Sequence, residues 1–124
     1  MGKFVITRTD SGFRFVLKAA NGETIAGSEV YSARGACVKG IHSLIASASK
    51  AKLQDLTRTG EKPPANPKFE IYTDKSGEYR FRLRSRNGKI VAVSDGYTTY
   101  ASCLNGIQSV CKNAVQAQIE DLKQ

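Results

Sequence analysis

The feature that most constrains this chain is that it is written twice. "GKFVITRTDSGFRFVLKAANGETIAGSEVYSARGACVKGIHSLIASASKAKLQDLT" begins at Gly2, and "PKFEIYTDKSGEYRFRLRSRNGKIVAVSDGYTTYASCLNGIQSVCKNAVQAQIEDLK" begins at Pro67. Phe4 aligns with Phe69 and Ile6 with Ile71. The first copy is one residue shorter after Ser11-Gly12, and from there Arg14 aligns with Arg80, Tyr31 with Tyr97, Cys37 with Cys103 and Asp55 with Asp121. A chain of 124 residues with 40% apolar content buries one modest core, so the two copies are expected to form a single globular unit. Residues 1–57 are repeat one and residues 67–124 repeat two. Between them "RTGEKPPAN" (58–66), with Pro63, Pro64 and Gly60, reads as a linker.

Within each copy the hydrophobic period changes once. Phe69 and Ile71, then Tyr79, Phe81 and Leu83, alternate with polar residues, the pattern of strands with one buried face. Asn21-Gly22 and Asn87-Gly88 sit between alternating runs and predict tight hairpins with both turn residues at positive φ. Each copy therefore opens as a three-stranded meander, about 68–73, 79–86 and 89–94 in the second. The period then becomes helical: Cys37, Ile41, Leu44 and Ala48 recur at three- and four-residue steps, as do Cys103, Ile107, Val110 and Ala114. Ser32 and Thr98 are the expected N-caps. Gly40 and Gly106 interrupt these helices at about 1 kcal/mol each relative to alanine, a cost that close approach of helix to sheet would offset. For the closing segments, "AKLQDLT" and "AQIEDLK", pattern alone leaves helix and strand open.

The string of SG, R-F-x-L, NG, A-x-S, Y and C-x-x-GI in "FEIYTDKSGEYRFRLRSRNGKIVAVSDGYTTYASCLNGIQSVCKNA" resembles the YegP-like family, a bacterial family of unknown function. The first copy is similar over "TRTDSGFRFVLKAANGETIAGSEVYSARGACVKGI". The resemblance implies an α+β fold in which two tandem β-β-β-α-β repeats form one antiparallel sheet, exchange their C-terminal strands and place both helices on one face. The closing segments then become strands, each paired in the other repeat's half, and the duplication makes a pseudo-twofold monomer the expectation. The resemblance implies no activity, cofactor or catalytic residue.

The charge is +8, from 19 basic and 11 acidic side chains, and both repeats share it. This balance favours polyanions or acidic partners. "MGKFVITRTD" turns polar at once, and no apolar run is long enough to span a bilayer, so a cytoplasmic protein without membrane attachment is expected. Three cysteines without a CxxC argue against disulfides and a zinc site, and one histidine, His42, rules out a multi-histidine metal centre. Cys37, Cys103 and Cys111 read as small buried hydrophobes rather than nucleophiles. His42 reads as a solvated helix residue, and Asp55 and Asp121 as structural carboxylates that hydrogen-bond a turn or pair with an arginine. No catalytic residue, metal or cofactor is assigned.

The candidate surface is the alternation "YRFRLRSR". With Phe81 and Leu83 inward, Arg80, Arg82, Arg84 and Arg86 point to the opposite, open sheet face, joined by Lys68, Glu70 and Tyr72, with Arg14 and Lys18 as an echo in repeat one. A merely solvated strand face is the plainer reading. The functional reading is a non-enzymatic binding or structural module with weak affinity for single-stranded nucleic acid or another polyanion through this face. An interaction module meeting an acidic protein is the alternative, and an enzyme or small-molecule binder with a pocket between sheet and helices is the least favoured.

Overall fold

The computed structural model describes residues 2–58, 60, 62–115 and 117–121. The elements follow the duplication: β1 (Lys3–Thr9), β2 (Gly12–Lys18), β3 (Thr24–Gly27), α1 (Arg34–Ala48) and β4 (Lys52–Asp55), then β5 (Lys68–Thr73), β6 (Tyr79–Arg84), β7 (Ile90–Val93), α2 (Tyr100–Ala114) and β8 (Gln118–Asp121). One eight-stranded sheet runs in the order β4-β5-β6-β7-β3-β2-β1-β8. The fold is α+β, and the last strand of each repeat lies on the far edge of the other, as expected.

One correction concerns strand direction. The exchanged strands do not join antiparallel: β4 pairs parallel with β5, and β8 parallel with β1, so the sheet is mixed. Lys52 lies beside Lys68 and Asp55 beside Ile71. The chain must therefore return the full length of the strand between Asp55 and Lys68. Residues 56–67 supply the dozen or so residues that a parallel crossover needs. The linker is thus the connection that lets repeat one hand its last strand to repeat two. For β8 the described residues end at Asp121, so the close of "AQIEDLK" lies outside them.

The hairpins also differ in detail. Ala19 pairs with Glu23, and Ser85 with Lys89, so each loop has three residues rather than two. Gly22 and Gly88 take φ of 88° and 85°, each after a turn in which its N–H donates to Ala19 or Ser85. Asn21 and Asn87 accept from the N–H of Glu23 and Lys89 at 3.0 and 3.2 Å. This is a turn closed by a left-handed glycine, with a register shift at Leu17/Lys18 and Leu83/Arg84.

Both helices pack on one sheet face and touch each other. Phe4, Phe15, Leu17, Ile71, Phe81 and Leu83 are fully buried against Cys37, Ile41, Leu44, Cys103 and Val110, and each such large side chain contributes about 1.5–3 kcal/mol. The repeats pack alike. Phe4 meets Phe15 edge-on at 5.7 Å and Phe69 meets Phe81 at 6.0 Å, while Tyr31 stacks on Phe15 and Tyr97 on Phe81. These tyrosines explain the helix glycines: a Cβ on Gly40 or Gly106 would overlap the hydroxyl of Tyr31 or Tyr97. Helix starts fall one residue later than the pattern suggests. Thr99 is the cap of α2 and its Oγ1 accepts from Ser102 N at 3.0 Å, whereas Ala33, in the same place on α1, has no side-chain oxygen to offer.

Candidate functional site

The face away from the helices is open, and the register of β5 and β6 places its residues opposite one another: Lys68 with Arg84, Glu70 with Arg82, and Tyr72 with Arg80. Alternation thus brings Lys68, Tyr72, Arg80, Arg82 and Arg84 together, as the sequence suggests. Arg86 does not join them. The ladder shifts at Leu83/Arg84, the strand ends at Arg84, and the hairpin turn begins at a buried Ser85. Arg86 is instead exposed in the turn, lining a shallow depression with Ser43, Ala46 and Ser47 of α1.

Glu70 organises the row. Its side chain is 7% exposed, and its Oε1 accepts from Nε of both Arg82 and Arg84 at 2.7 Å. Lys68 Nζ lies 3.5 Å from Oε2 and donates to Gln54 Oε1 at 2.6 Å, so the exchanged strand β4 closes the cluster from the sheet edge. Burial raises the affinity of Glu70 for a proton, but the hydrogen bonds and charges of Arg82 and Arg84 outweigh it, and its carboxyl is held below the usual range. The Arg82 guanidinium lies 4.6 Å over the Tyr72 ring. Arg80 donates from Nε to Asp74 Oδ2 at 2.7 Å and from Nη1 to the Ser94 carbonyl at 3.2 Å. Asp74, bonded foremost by Arg80 and then Ser76, is held far below the usual carboxylate range.

Repeat one fills the same positions differently. Val5 faces Val16 where repeat two has Glu70 facing Arg82, and Val5 is buried. The surplus arginines of the second copy are therefore half of an ion cluster that replaces an apolar cross-strand pair. That relation was not legible in the sequence, which placed Glu70 on this face but not at the centre of a cluster. Arg14 and Lys18 lie on the same face. Neither has an ion pair among the described residues.

Cys37 and Cys103 are fully buried, and burial pushes the Cys103 thiol up to about 11. Cys111 is only partly buried, with its Sγ 3.7 Å from the Ala48 carbonyl. His42 is exposed. Asp55 accepts from the Thr57 N–H at 2.8 Å and from the Thr57 hydroxyl, and Asp121 pairs with Arg34. Among the described residues no group of three or more His, Cys, Asp or Glu is placed to hold a metal ion, and no helix is long and apolar enough to cross a membrane.

A shallow cleft of about 440 Å³ lies where the repeats meet on this face, at the junction of β3 and β7. The ladder there is the single pair Gly27–Val93, so the sheet is least tied at its pseudo-twofold axis. Arg14 and Arg80 line the cleft from either side, with Gly27, Ser28, Ser94 and Asp95.

Comparison with known proteins agrees with this architecture. The model of a domain of unknown function, DUF1508, matches twice, over residues 9–55 and 74–121. The UPF0339 protein YegP of Escherichia coli K12 is 33% identical over 97% of this chain and 96% of its own length. A UPF0339 protein of Methanosarcina acetivorans is 60% identical over 52 residues, 42% of this chain but 90% of its own, so relatives about one repeat long exist. The solution structure of Escherichia coli yegP matches with a TM-score of 0.77 and 32% identity, covering 97% of this chain and 91% of that one. That of a UPF0339 protein from Shewanella oneidensis matches with a TM-score of 0.78 and 29% identity, covering 98% and 91%.

Proposed function

The chain belongs to the DUF1508 family, whose function is unknown, and on that premise we propose that it is a non-catalytic binding module whose open sheet face takes up single-stranded nucleic acid weakly through phosphate contacts. The supporting observation is the imbalance of charge on that face. Lys18, Arg14, Lys68, Arg80, Arg82 and Arg84 project from it, while the carboxylates that contact them are Glu70 and Asp74. Alternate strand residues stand about 6.5–7 Å apart, near the phosphate spacing of an extended single strand. Because Arg82 already covers Tyr72, a base would stack on the guanidinium plane rather than on the ring.

Fluorescence anisotropy of a labelled single-stranded oligonucleotide across a sodium chloride series tests this. Affinity should fall steeply with salt, and K18Q and R14Q, at cations without an ion pair among the described residues, should each lower the slope of log K against log salt by roughly 0.7. Serine at Arg82 or Arg84 would strand Glu70, so those positions are the wrong ones to remove. No binding at the lowest salt, or slopes unchanged in both variants, overturns the reading.

A further inference from the structure

The two repeats differ at one position in a way that leaves a site unfinished. In repeat two, the Asp74 carboxylate is bound by Arg80 Nε. In repeat one, Arg14 holds the place of Arg80 and Ser28 that of Ser94, but the residue in the place of Asp74 is Thr9. Thr7 faces Arg14 across the β1–β2 ladder as Tyr72 faces Arg80, and Thr9 lies two residues on, along the same face. Thr9 Oγ1 and Arg14 Nε are both shielded from solvent, and neither has a hydrogen-bond partner. They are the two buried side-chain polar atoms in that condition among the described residues, and they belong to the one pair in which the internal carboxylate is missing. A buried donor of this kind is costly to leave unmade.

Local packing keeps the arginine where it is. A Cβ at Gly27 would stand 2.5 Å from Arg14 Nη2, so the glycine, in the place of Val93, lets the guanidinium lie over the strand at the edge of the central cleft. Arg14 lines this cleft, whereas Thr9 lies outside its lining; Ala26, Ala92, Ile90 and Val93 give the cleft an apolar part, and Arg80, Glu29 and Asp95 its other charges.

We propose that Arg14 and Thr9 form a binding site for a short-chain monocarboxylate, whose carboxylate takes the place that Asp74 fills in repeat two. The planar anion accepts from the Arg14 guanidinium, and the Thr9 hydroxyl donates a further hydrogen bond. Its aliphatic chain lies along the apolar part of the cleft. One guanidinium and one hydroxyl, the partners a carboxylate would meet here, match a planar monoanion better than a dianionic phosphate. The site shares Arg14 with the charged face described above, but it rests on Arg14 and Thr9 and does not depend on phosphate binding there.

Titration of the ¹⁵N-labelled full chain with sodium acetate, sodium butyrate and sodium phosphate, at ionic strength held constant with sodium chloride, tests the assignment by NMR. Acetate and butyrate should give saturable shifts at Thr9, Gly27, Ser28 and the Arg14 Nε–H, with butyrate roughly fivefold tighter because part of its chain is buried. R14Q should abolish these shifts. Thr9→Asp should abolish them as well while raising the melting temperature, since it supplies from within the carboxylate that the ligand brings. Oligonucleotide binding should persist in Thr9→Asp. The proposal is overturned if neither carboxylate saturates at these residues, meaning that only water occupies the site. It is equally overturned if phosphate shifts them as strongly as acetate, or if Thr9→Asp still responds to acetate.

Discussion

Arg34 Nε and Nη2 donate to the two carboxylate oxygens of Asp121 at 2.8 and 2.7 Å, tying the first turn of α1 in repeat one to the last strand of repeat two. The duplicated counterparts are Tyr100 and Asp55, and a hydrogen bond from Tyr100 is among the influences holding the Asp55 carboxyl down, after burial, which raises it, and the bonds from Thr57. Each exchanged strand is thus fastened to the start of the other repeat's helix. The two fastenings differ in surroundings. Arg34 and Asp121 are about half exposed, whereas the Asp55 side chain is 9% exposed. R34Q should leave the urea midpoint close to that of the parent, because solvent screens an exposed pair. D55A should cost about 2 kcal/mol, because it strips a buried turn of its acceptor.

Glu70 and Arg82 occupy the register positions held by Val5 and Val16 in repeat one. E70Q alone leaves Arg82, Arg84 and Lys68 without their shared anion, and the expected loss is about 2 kcal/mol, less than for a fully enclosed pair because the arginines reach solvent. The double variant E70V/R82V, which copies repeat one, should recover most of that loss. Urea unfolding of the parent, the single and the double variant decides it. A double variant as unstable as E70Q would mean that the ion cluster is required rather than interchangeable with an apolar pair.

The folded chain holds Glu70, Asp74, Asp55 and Asp121 below their ordinary carboxylate ranges. At neutral pH all four are ionised in both the folded and the unfolded chain, and their full contribution is present. As pH falls through about 4, the unfolded chain takes up protons first, so stability declines and goes on declining until the folded carboxylates protonate. Melting temperature should therefore be flat from about pH 8 to 5 and drop below that. E70Q should flatten the acid limb.

Alanine at Gly106 should gain about 1 kcal/mol in helix propensity. Its Cβ, however, would overlap the Tyr97 hydroxyl and stand 2.9 Å from a ring carbon of Phe81. The net effect of G106A should be destabilising, and Y97F in the same chain should restore part of the loss. A G106A protein that melts above the parent would show that α2 moves outward at no cost.

Much of this fold was legible because its signals are local. The inward residues Phe4, Phe15, Phe69 and Phe81, the helix stripes and the glycines after Asn21 and Asn87 each declare themselves within a few positions of chain. The site was less so. The pattern placed Arg80, Arg82 and Arg84 on one face correctly but carried Arg86 along with them, because a period of two does not show where a bulge ends a strand. Nor did it distinguish Asp74 from Thr9, since the two differ in consequence only once Arg80 and Arg14 lie beside them.

The sequence by itself determined two copies of a meander and a helix, which residues of each face inward, and where the chain turns, all consequences of backbone sterics and hydrophobic period acting over short range. The tertiary structure alone decided that the exchanged strands β4 and β8 run parallel to their new neighbours, that Glu70 draws the arginine row into a cluster closed by Gln54, and that Arg14 is left without the carboxylate its counterpart has. These depend on which strand lies beside which and in what register. Electrostatic pairing and hydrogen bonding act across that spacing of a few ångströms, between residues whose separation along the chain carries no sign of it.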